Sequence, residues 1–358
     1  MRKGAPGVPA VPTIYTVADH AGVSIATVSR VDRGSPSVAD PTAKRVRASM
    51  QEVGYRPNGA ARALAMQRHD AIGLVFPHLS GPYYSGVILG LEAAAAALGQ
   101  AVYIVGTQGR NHPEQLVTDL GSRVDGLVIA GRTIPDEAIR QLQRLRLPLV
   151  LLARNAVGTA DAIRTENRRN AERLTSHLLQ HGHRTIAFVG DPESSPDAME
   201  RWEGFRAAHQ HLRRRVPNAP VRSAFGEAEG QQAAREVLQE AKRPNALFCA
   251  NDEIALGAYR AAADLGLSIP TDIAITGWDD IALARLLSPG LTTVRQPVTE
   301  IGAEAARLLM ERVNGSRRVG STTVLPTEMT IRSSCGCESQ DRRDPTHRLT
   351  ETDDINQP

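Results

Sequence analysis

Residues 16–31, TVADHAGVSIATVSRV, contain two short helical patterns that meet at Gly22, the second beginning at Ser24. Val17, Ala18 and Ala21 fall on one helix face, and Val23, Val28 and Val31 can meet them from the next helix. Small side chains here let the two helices cross closely. Gly22 suits the turn, because a positive φ is costly for a residue that carries a Cβ. Ser24 is an N-cap candidate whose hydroxyl can accept an orphan backbone N–H. The outward face then presents Ile25, Ala26, Thr27, Ser29 and Arg30. Such a set suits a DNA major groove: Arg pairs bidentately with guanine, Ile or Ala touches a thymine methyl, and hydroxyls reach phosphates. An ordinary helical hairpin satisfies the same spacing.

Charge favours the DNA reading. Residues 1–69 hold ten Lys and Arg against four Asp and Glu, a net +6, while the remainder holds 32 against 35, a net −3. A basic head on a mildly acidic body is the electrostatic footprint of a module that meets nucleic acid.

Downstream, Pro41 to Val53 reads as a third helix, with Val46, Met50 and Val53 inward, Lys44, Arg45 and Arg47 outward, and Gly54 at the C′ position. The stretch GYRPNGAARALAMQ, 54–67, favours a short helix by composition. Such a helix is too short to stand alone in water, which suits a linker that orders only when docked.

From Ala71 onward, short apolar runs (IGLVF, AVYIV, GLVIA, PLVLL, then TIAFVG, ALFCA, IAIT) alternate with amphipathic stretches such as 84–98, 167–181 and 252–265. This alternation predicts parallel sheets covered on both faces, divided into two halves by a break near Asp161 to Thr165. Ligands of such sheets bind beyond the strands' carboxyl ends. There the sequence places Pro77 to Tyr84, Arg154, Asp191 to Arg201, Asn251-Asp252 and Trp278-Asp279-Asp280. Arg, Asn, Asp and aromatic rings together suit a polyhydroxylated ligand.

Residues 13–69 and the body that follows resemble the LacI/GalR family of bacterial transcriptional regulators. The motifs that carry the resemblance are VADHAGVSIATVSRV, GYRPNGAARAL, CANDEIALG and GWDD, in that order over the chain. The resemblance implies a small all-α helix-turn-helix headpiece on an α/β body of two doubly wound parallel-sheet lobes of periplasmic-binding-protein type. It places base-reading positions at Ile25, Ala26 and Arg30, and backbone-positioning contacts at Tyr15, Thr27, Ser29 and Asn58. Ser24, Arg33, Tyr55 and Ala61 complete the expected DNA-facing set. Leu64 is the expected hinge-helix leucine that wedges a base step in the minor groove. The resemblance also puts effector contacts at Arg201, Asn251 and Asp279, with Tyr84 and Trp278 lining the site.

The chain departs from the family pattern at Asp32-Arg33, where Leu-Asn is usual, at Ala39, where Ser is usual, and at Ala153, where an Asp is common. An acid near phosphates costs affinity, and Arg33 can offset Asp32. Ala153 removes one expected hydroxyl contact.

The expected organisation is a flexible arm at 1–12, a headpiece at 13–56, a hinge linker at 57–69, a two-lobed body at 70–333 and a disordered tail at 334–358. Within the body, the N-lobe is expected at about 70–163 and 292–321, and the C-lobe at about 164–291 and 322–333. The expected partners are a roughly palindromic double-stranded operator, a carbohydrate-like effector and a second copy of the chain. No signal peptide or membrane span is evident, so a cytoplasmic site is expected. The ten histidines form no HExxH pattern, and Cys335-Gly-Cys337 lacks CxxC spacing; neither metal nor cofactor is expected. Cys249 reads as a packed thiol. Two other classes fit the body: a two-lobed sugar-binding protein without a DNA role, and a sugar-modifying enzyme. The basic head opposes the first. The lack of GxGxxG after the first strand, of GxxxxGK[ST] and of GxSxG opposes the second.

Overall fold

The computed structural model describes residues 12–56, 68–77 and 80–337. Two compact units divide the chain at His69/Asp70.

The first unit holds three helices, α1 (Ile14–Ala21), α2 (Ile25–Asp32) and α3 (Asp40–Glu52). Val17, Ala18, Ala21, Val28, Val31, Ala43 and Val46 form its core. Gly22 takes the left-handed conformation at φ 63°, and Val23 N–H returns to Ala18 O at 3.0 Å, closing α1. Ser24 Oγ accepts Thr27 N–H at 3.2 Å and so caps α2. Arg45 of α3 donates Nε to Ala21 O at 3.1 Å, which satisfies a carbonyl at the end of α1. Beside it, the buried Ser49 hydroxyl lies 2.9 Å from His20 Nδ1.

The body carries eleven strands among the described residues: β1 (Ala71–Phe76), β2 (Ala101–Gly106), β3 (Gly126–Ala130), β4 (Leu149–Leu152), β5 (Asp161–Thr165), β6 (Ile186–Val189), β7 (Ala246–Cys249), β8 (Ala274–Thr276), β9 (Thr293–Arg295), β10 (Thr322–Leu325) and β11 (Glu328–Thr330). The first sheet is parallel throughout, in the order β10-β5-β4-β3-β1-β2. Alternate residues of its strands face opposite ways. Ile72, Leu74, Val128 and Val150 pack under the Pro82–Ala97 and Val298–Val313 helices. Val75, Leu127, Ile129 and Leu151 pack with Val117, Ile139 and Leu142 from the helices on the other face. Those two coverings explain why β1, β3 and β4 read as unbroken apolar runs, whereas the apolar run of edge strand β2 is exposed or half-buried throughout. The second sheet, β6-β7-β8, is also parallel and lies in a core with Leu174, Phe205, Ala234 and Ala258 of its flanking helices.

Helices in both lobes meet at glycines. A Cβ on Gly90 would stand 1.9 Å from Thr299 O, and one on Gly302 would stand 2.1 Å from Val87 O. These two positions fix how closely the Pro82–Ala97 and Val298–Val313 helices approach.

Three sequence expectations need correction. Asp161 to Thr165 is strand β5 rather than a break. Its polar ends hid it: the fully buried Asp161 carboxylate accepts Arg317 Nε at 2.9 Å and Ser321 N–H at 2.8 Å, and also pairs with Arg312. The lobe boundaries also move. β10 pairs in register with β5, Thr322 against Ala162, so 322–325 belongs to the first lobe. Val294 lies in the core of the second lobe and Ile301 in that of the first, which moves the other crossing to Gln296-Pro297. Finally, the body continues past residue 333, since Ser334 and Cys335 are fully buried. The expected hinge helix, with Asn58, Ala61 and Leu64, lies outside the described residues, as do residues 1–11 and 338–358.

Candidate functional site

On α2 the capped N-terminus sets which side chains face away from the core. Ile25, Ala26 and Arg30 are exposed, Thr27 and Ser29 are half-buried, and Val28 and Val31 point inward. Tyr15 on α1 is 64% exposed. Arg33 is exposed, but its Nε donates to Ser29 O at 3.0 Å, so the side chain lies back along the end of α2. Ser24 spends its hydroxyl on the cap. Tyr55 packs against the headpiece core, and burial followed by the Asp32 charge raises its phenol above the usual range.

The body contains a cleft of about 800 Å³ between its lobes. Its second-lobe wall is built at the carboxyl ends of β6, β7 and β8, where the helix dipoles and loops converge. Arg201, in the Pro196–His211 helix, is 3% exposed. Nε donates to Asn167 Oδ1 at 2.8 Å and Nη1 to Ala250 O at 2.7 Å, while the guanidinium lies 4.6 Å from the Trp278 ring centroid. Asp279 follows β8 at φ 121°, and Asp280 at φ 57°. This backbone region is sparsely populated by non-glycine residues, and strain of that kind concentrates at functional sites. The kink sends the two acids different ways. Asp280 is held by Arg332 Nη2 at 2.8 Å and Arg295 Nε at 2.7 Å, and Asp279 lines the cleft.

Burial pushes the Asp279 carboxyl up to about 8, with Arg201 opposing the shift and Asp252 and Glu253 adding to it. Gln296 donates Nε2 to Asp279 Oδ1 at 2.6 Å and accepts Thr165 Oγ1 at 2.7 Å. Asn251 caps the Asp252–Asp264 helix, its Oδ1 accepting Ile254 N–H at 2.9 Å, and also borders the cleft. Asp252 is structural: fully buried, it takes Thr293 Oγ1 at 2.6 Å and Ile281 N–H at 2.9 Å.

The structure thus gathers Tyr84, Arg201, Asn251 and Asp279 around one cleft, and it leaves out Trp278. That indole is fully buried in the second-lobe core, 6.4 Å from Phe248, and supports Arg201 from below. Arg154 is likewise removed from the ligand-facing set, because it is spent on Gly131 O at 2.9 Å, Ile134 O at 3.0 Å and Asp136. Ala153 does line the cleft, and its methyl stands where an acid would offer a contact.

Arg132 and Gln296 line the cleft from outside the strand-end stretches read in the sequence, and Tyr83 and Asp197 lie within those stretches but were not singled out there. Asp197 sits in the first helical turn after Ser195-Pro196, a helix-start signal that locates it at a strand's carboxyl end. Burial raises its carboxyl above the usual range, while Arg201 opposes, and Asn167 Nδ2 donates to it at 3.0 Å. Gln296 carries no local signal, because its role depends on the crossing between lobes. Away from the cleft, His177, His181 and Cys337 converge, against the expectation that the histidines lack ligand partners.

Comparison with known proteins agrees with this geometry. The model for bacterial regulatory proteins of the lacI family matches residues 13–58, and that for a periplasmic binding protein-like domain matches residues 175–335. Catabolite control protein A of Priestia megaterium is 32% identical over 333 residues, covering 90% of this chain and 98% of the relative. This chain belongs to the lacI family of bacterial regulatory proteins. Among solved structures, the lac repressor dimer bound to operator and the anti-inducer ONPF is 28% identical with a TM-score of 0.80, covering 90% of this chain and 99% of that one. A transcriptional regulator CelR–cellobiose complex is 29% identical with a TM-score of 0.70 and the same coverage. The lacI-family chain is a DNA-binding transcriptional regulator rather than an enzyme. No helix among the described residues is long and apolar enough to cross a membrane.

Proposed function

We propose that the protein is a homodimeric, cytoplasmic repressor whose operator affinity is set by a polyhydroxylated small molecule, carbohydrate-like, held between the two lobes. The observation that carries the reading is the opposition of Arg201 and Asp279, fixed by buried hydrogen bonds on one wall, to the paired rings of Tyr83 and Tyr84, 5.4 Å apart, on the other. A forked donor and a carboxyl group satisfy adjacent hydroxyls, and rings cover the apolar face of a sugar. That the related regulator structure holds cellobiose supports this ligand class.

On the headpiece, Ile25, Ala26 and Arg30 read base edges, and Tyr15, Thr27 and Ser29 position phosphates. Leu64, with Asn58 and Ala61, is assigned to the hinge. Exposed Leu89, Tyr103 and Ile104 on the first lobe, with Leu283 and Leu286 on the second, supply apolar surface for the second copy. A two-fold dimer matches two half-sites of a palindrome. The effector shifts DNA affinity only by its differential affinity for the two states; a typical coupling of about 1–3 kcal/mol changes it about 5- to 150-fold.

Thermal-shift screening of sugars and sugar derivatives, with each hit tested for release of labelled operator, examines the reading. Arg201→Ala is expected to leave operator binding intact and to abolish the response to the hit. Normal calorimetric affinity for the effector in that variant would remove Arg201 from the site.

A further inference from the structure

The second lobe gathers donors that neither the headpiece nor the cleft uses. His177 lies in the last turn of the Arg168–Gln180 helix, and His181 follows four residues later, so both occupy one face, with ring centroids 4.5 Å apart. The turn Ser333–Cys335 docks beside them, and Gly336, at φ 91°, swings the chain so that Cys337 meets both rings. Cys337 Sγ stands 3.3 Å from His177 Nε2 and 3.5 Å from His181 Nε2. One ligand atom from each of the three residues lies within 4.8 Å of the others. On the buried side, Cys335 Sγ is 3.4 Å from His177 Nε2 and accepts Thr292 Oγ1 at 3.2 Å.

These separations match coordination chemistry. Tetrahedral zinc, with Zn–S about 2.3 Å and Zn–N about 2.0–2.1 Å, implies donor-to-donor distances of roughly 3.3–3.8 Å. The donor types discriminate as well: thiolate with imidazole selects zinc-class ions over magnesium or calcium. We propose that His177, His181 and Cys337 bind one zinc-class divalent cation per protomer, fastening the C-terminal segment to the Arg168–Gln180 helix. The fourth position falls on the solvent side, where His181 is exposed. Binding replaces the Cys337 S–H bond with a metal–sulfur bond and releases one proton to solvent. The helix so fastened starts at Asn167, the residue that holds Arg201, so the ion stabilises the lobe that carries the effector contacts. The sequence hides this site because an HxxxH pair and a CxC pair lie more than 150 residues apart.

The test uses full-length protein stripped with chelator and kept reduced. Titration with Co²⁺ is expected to give tetrahedral ligand-field bands and a thiolate-to-cobalt charge-transfer band, saturating at one ion per protomer and bleached by Zn²⁺. Cys337→Ser is expected to lose the charge-transfer band. Cys337→Ser and the surface variant His181→Asn are each expected to weaken Zn²⁺ binding at least about 10-fold, the loss that an outer-shell change alone can give. Zn²⁺ is expected to raise the melting temperature of the parent but not of either variant. A Co²⁺ complex without charge transfer overturns the site, as does unchanged Zn²⁺ affinity in both variants.

Discussion

Gln296 donates its amide to the Asp279 carboxyl at 2.6 Å, so a cleft acid of the second lobe is held by a residue on the segment that crosses to the first. The same amide accepts Thr165 Oγ1 at 2.7 Å, from the end of β5. The proposed effector contact and the lobe crossing are therefore one hydrogen-bonded unit. Gln296→Ala leaves a buried acid without this donor, a loss of about 1–3 kcal/mol. The expected outcome is a lower unfolding free energy in urea together with weaker effector-driven release of operator. Loss of stability with an unaltered effector response would separate Gln296 from the switch.

Arg30 is exposed on the outward face of the capped α2, one turn beyond Ala26. Arg30→Ala is expected to cost about 1–3 kcal/mol of operator binding and to relax preference at a single base pair. Anisotropy titrations against a set of single-substitution operators, at fixed salt, measure both. A uniform loss across all operators would make Arg30 a phosphate contact instead.

The headpiece was legible because its signals are local. Gly22, Ser24 and the Val17/Val28/Val31 face each determine conformation within a few residues, and the structure places them as the spacing predicts. The central body strands were legible for a related reason, since burial on both faces leaves apolar runs, while exposed β2 was legible by its apolar composition alone. What escaped depends on distant partners. β5 needs Arg312 and Arg317 to bury Asp161, and β10 is recognisable only by pairing with it. Trp278 read as a ligand-facing ring because it adjoins Asp279. The positive φ at Asp279 separates the two, and no residue type at that position announces it.

Gly302 and Gly90 let two first-lobe helices touch backbone to backbone. Helix propensity alone makes Gly302→Ala favourable by about 1 kcal/mol. The added methyl, however, meets Val87 O at 2.1 Å and forces the helices apart, and overpacking of this sort costs about 1–3 kcal/mol. The steric term wins, and a lower melting temperature is expected by circular dichroism. A rise would show that the helix pair yields without cost.

Burial raises the Asp279 carboxyl to about 8, against about 3.9 for an unperturbed Asp. Between those values the native protein keeps a proton that the unfolded chain has released. The native state thus binds more protons, and its stability must fall as pH rises through this window, levelling off above about 8. Asp197 and Asp252, also raised mainly by burial, act in the same direction and leave part of the slope when Asp279 is neutralised. Asp279→Asn keeps the shape and removes the charge at every pH. Melting temperatures measured without effector from about pH 5 to 9 are therefore expected to decline less steeply in the variant than in the parent. Its advantage should be greatest at the alkaline end, where the parent must ionise a buried acid. Parallel slopes would show that Asp279 keeps an ordinary carboxylate in the open cleft, with Arg201 outweighing its burial.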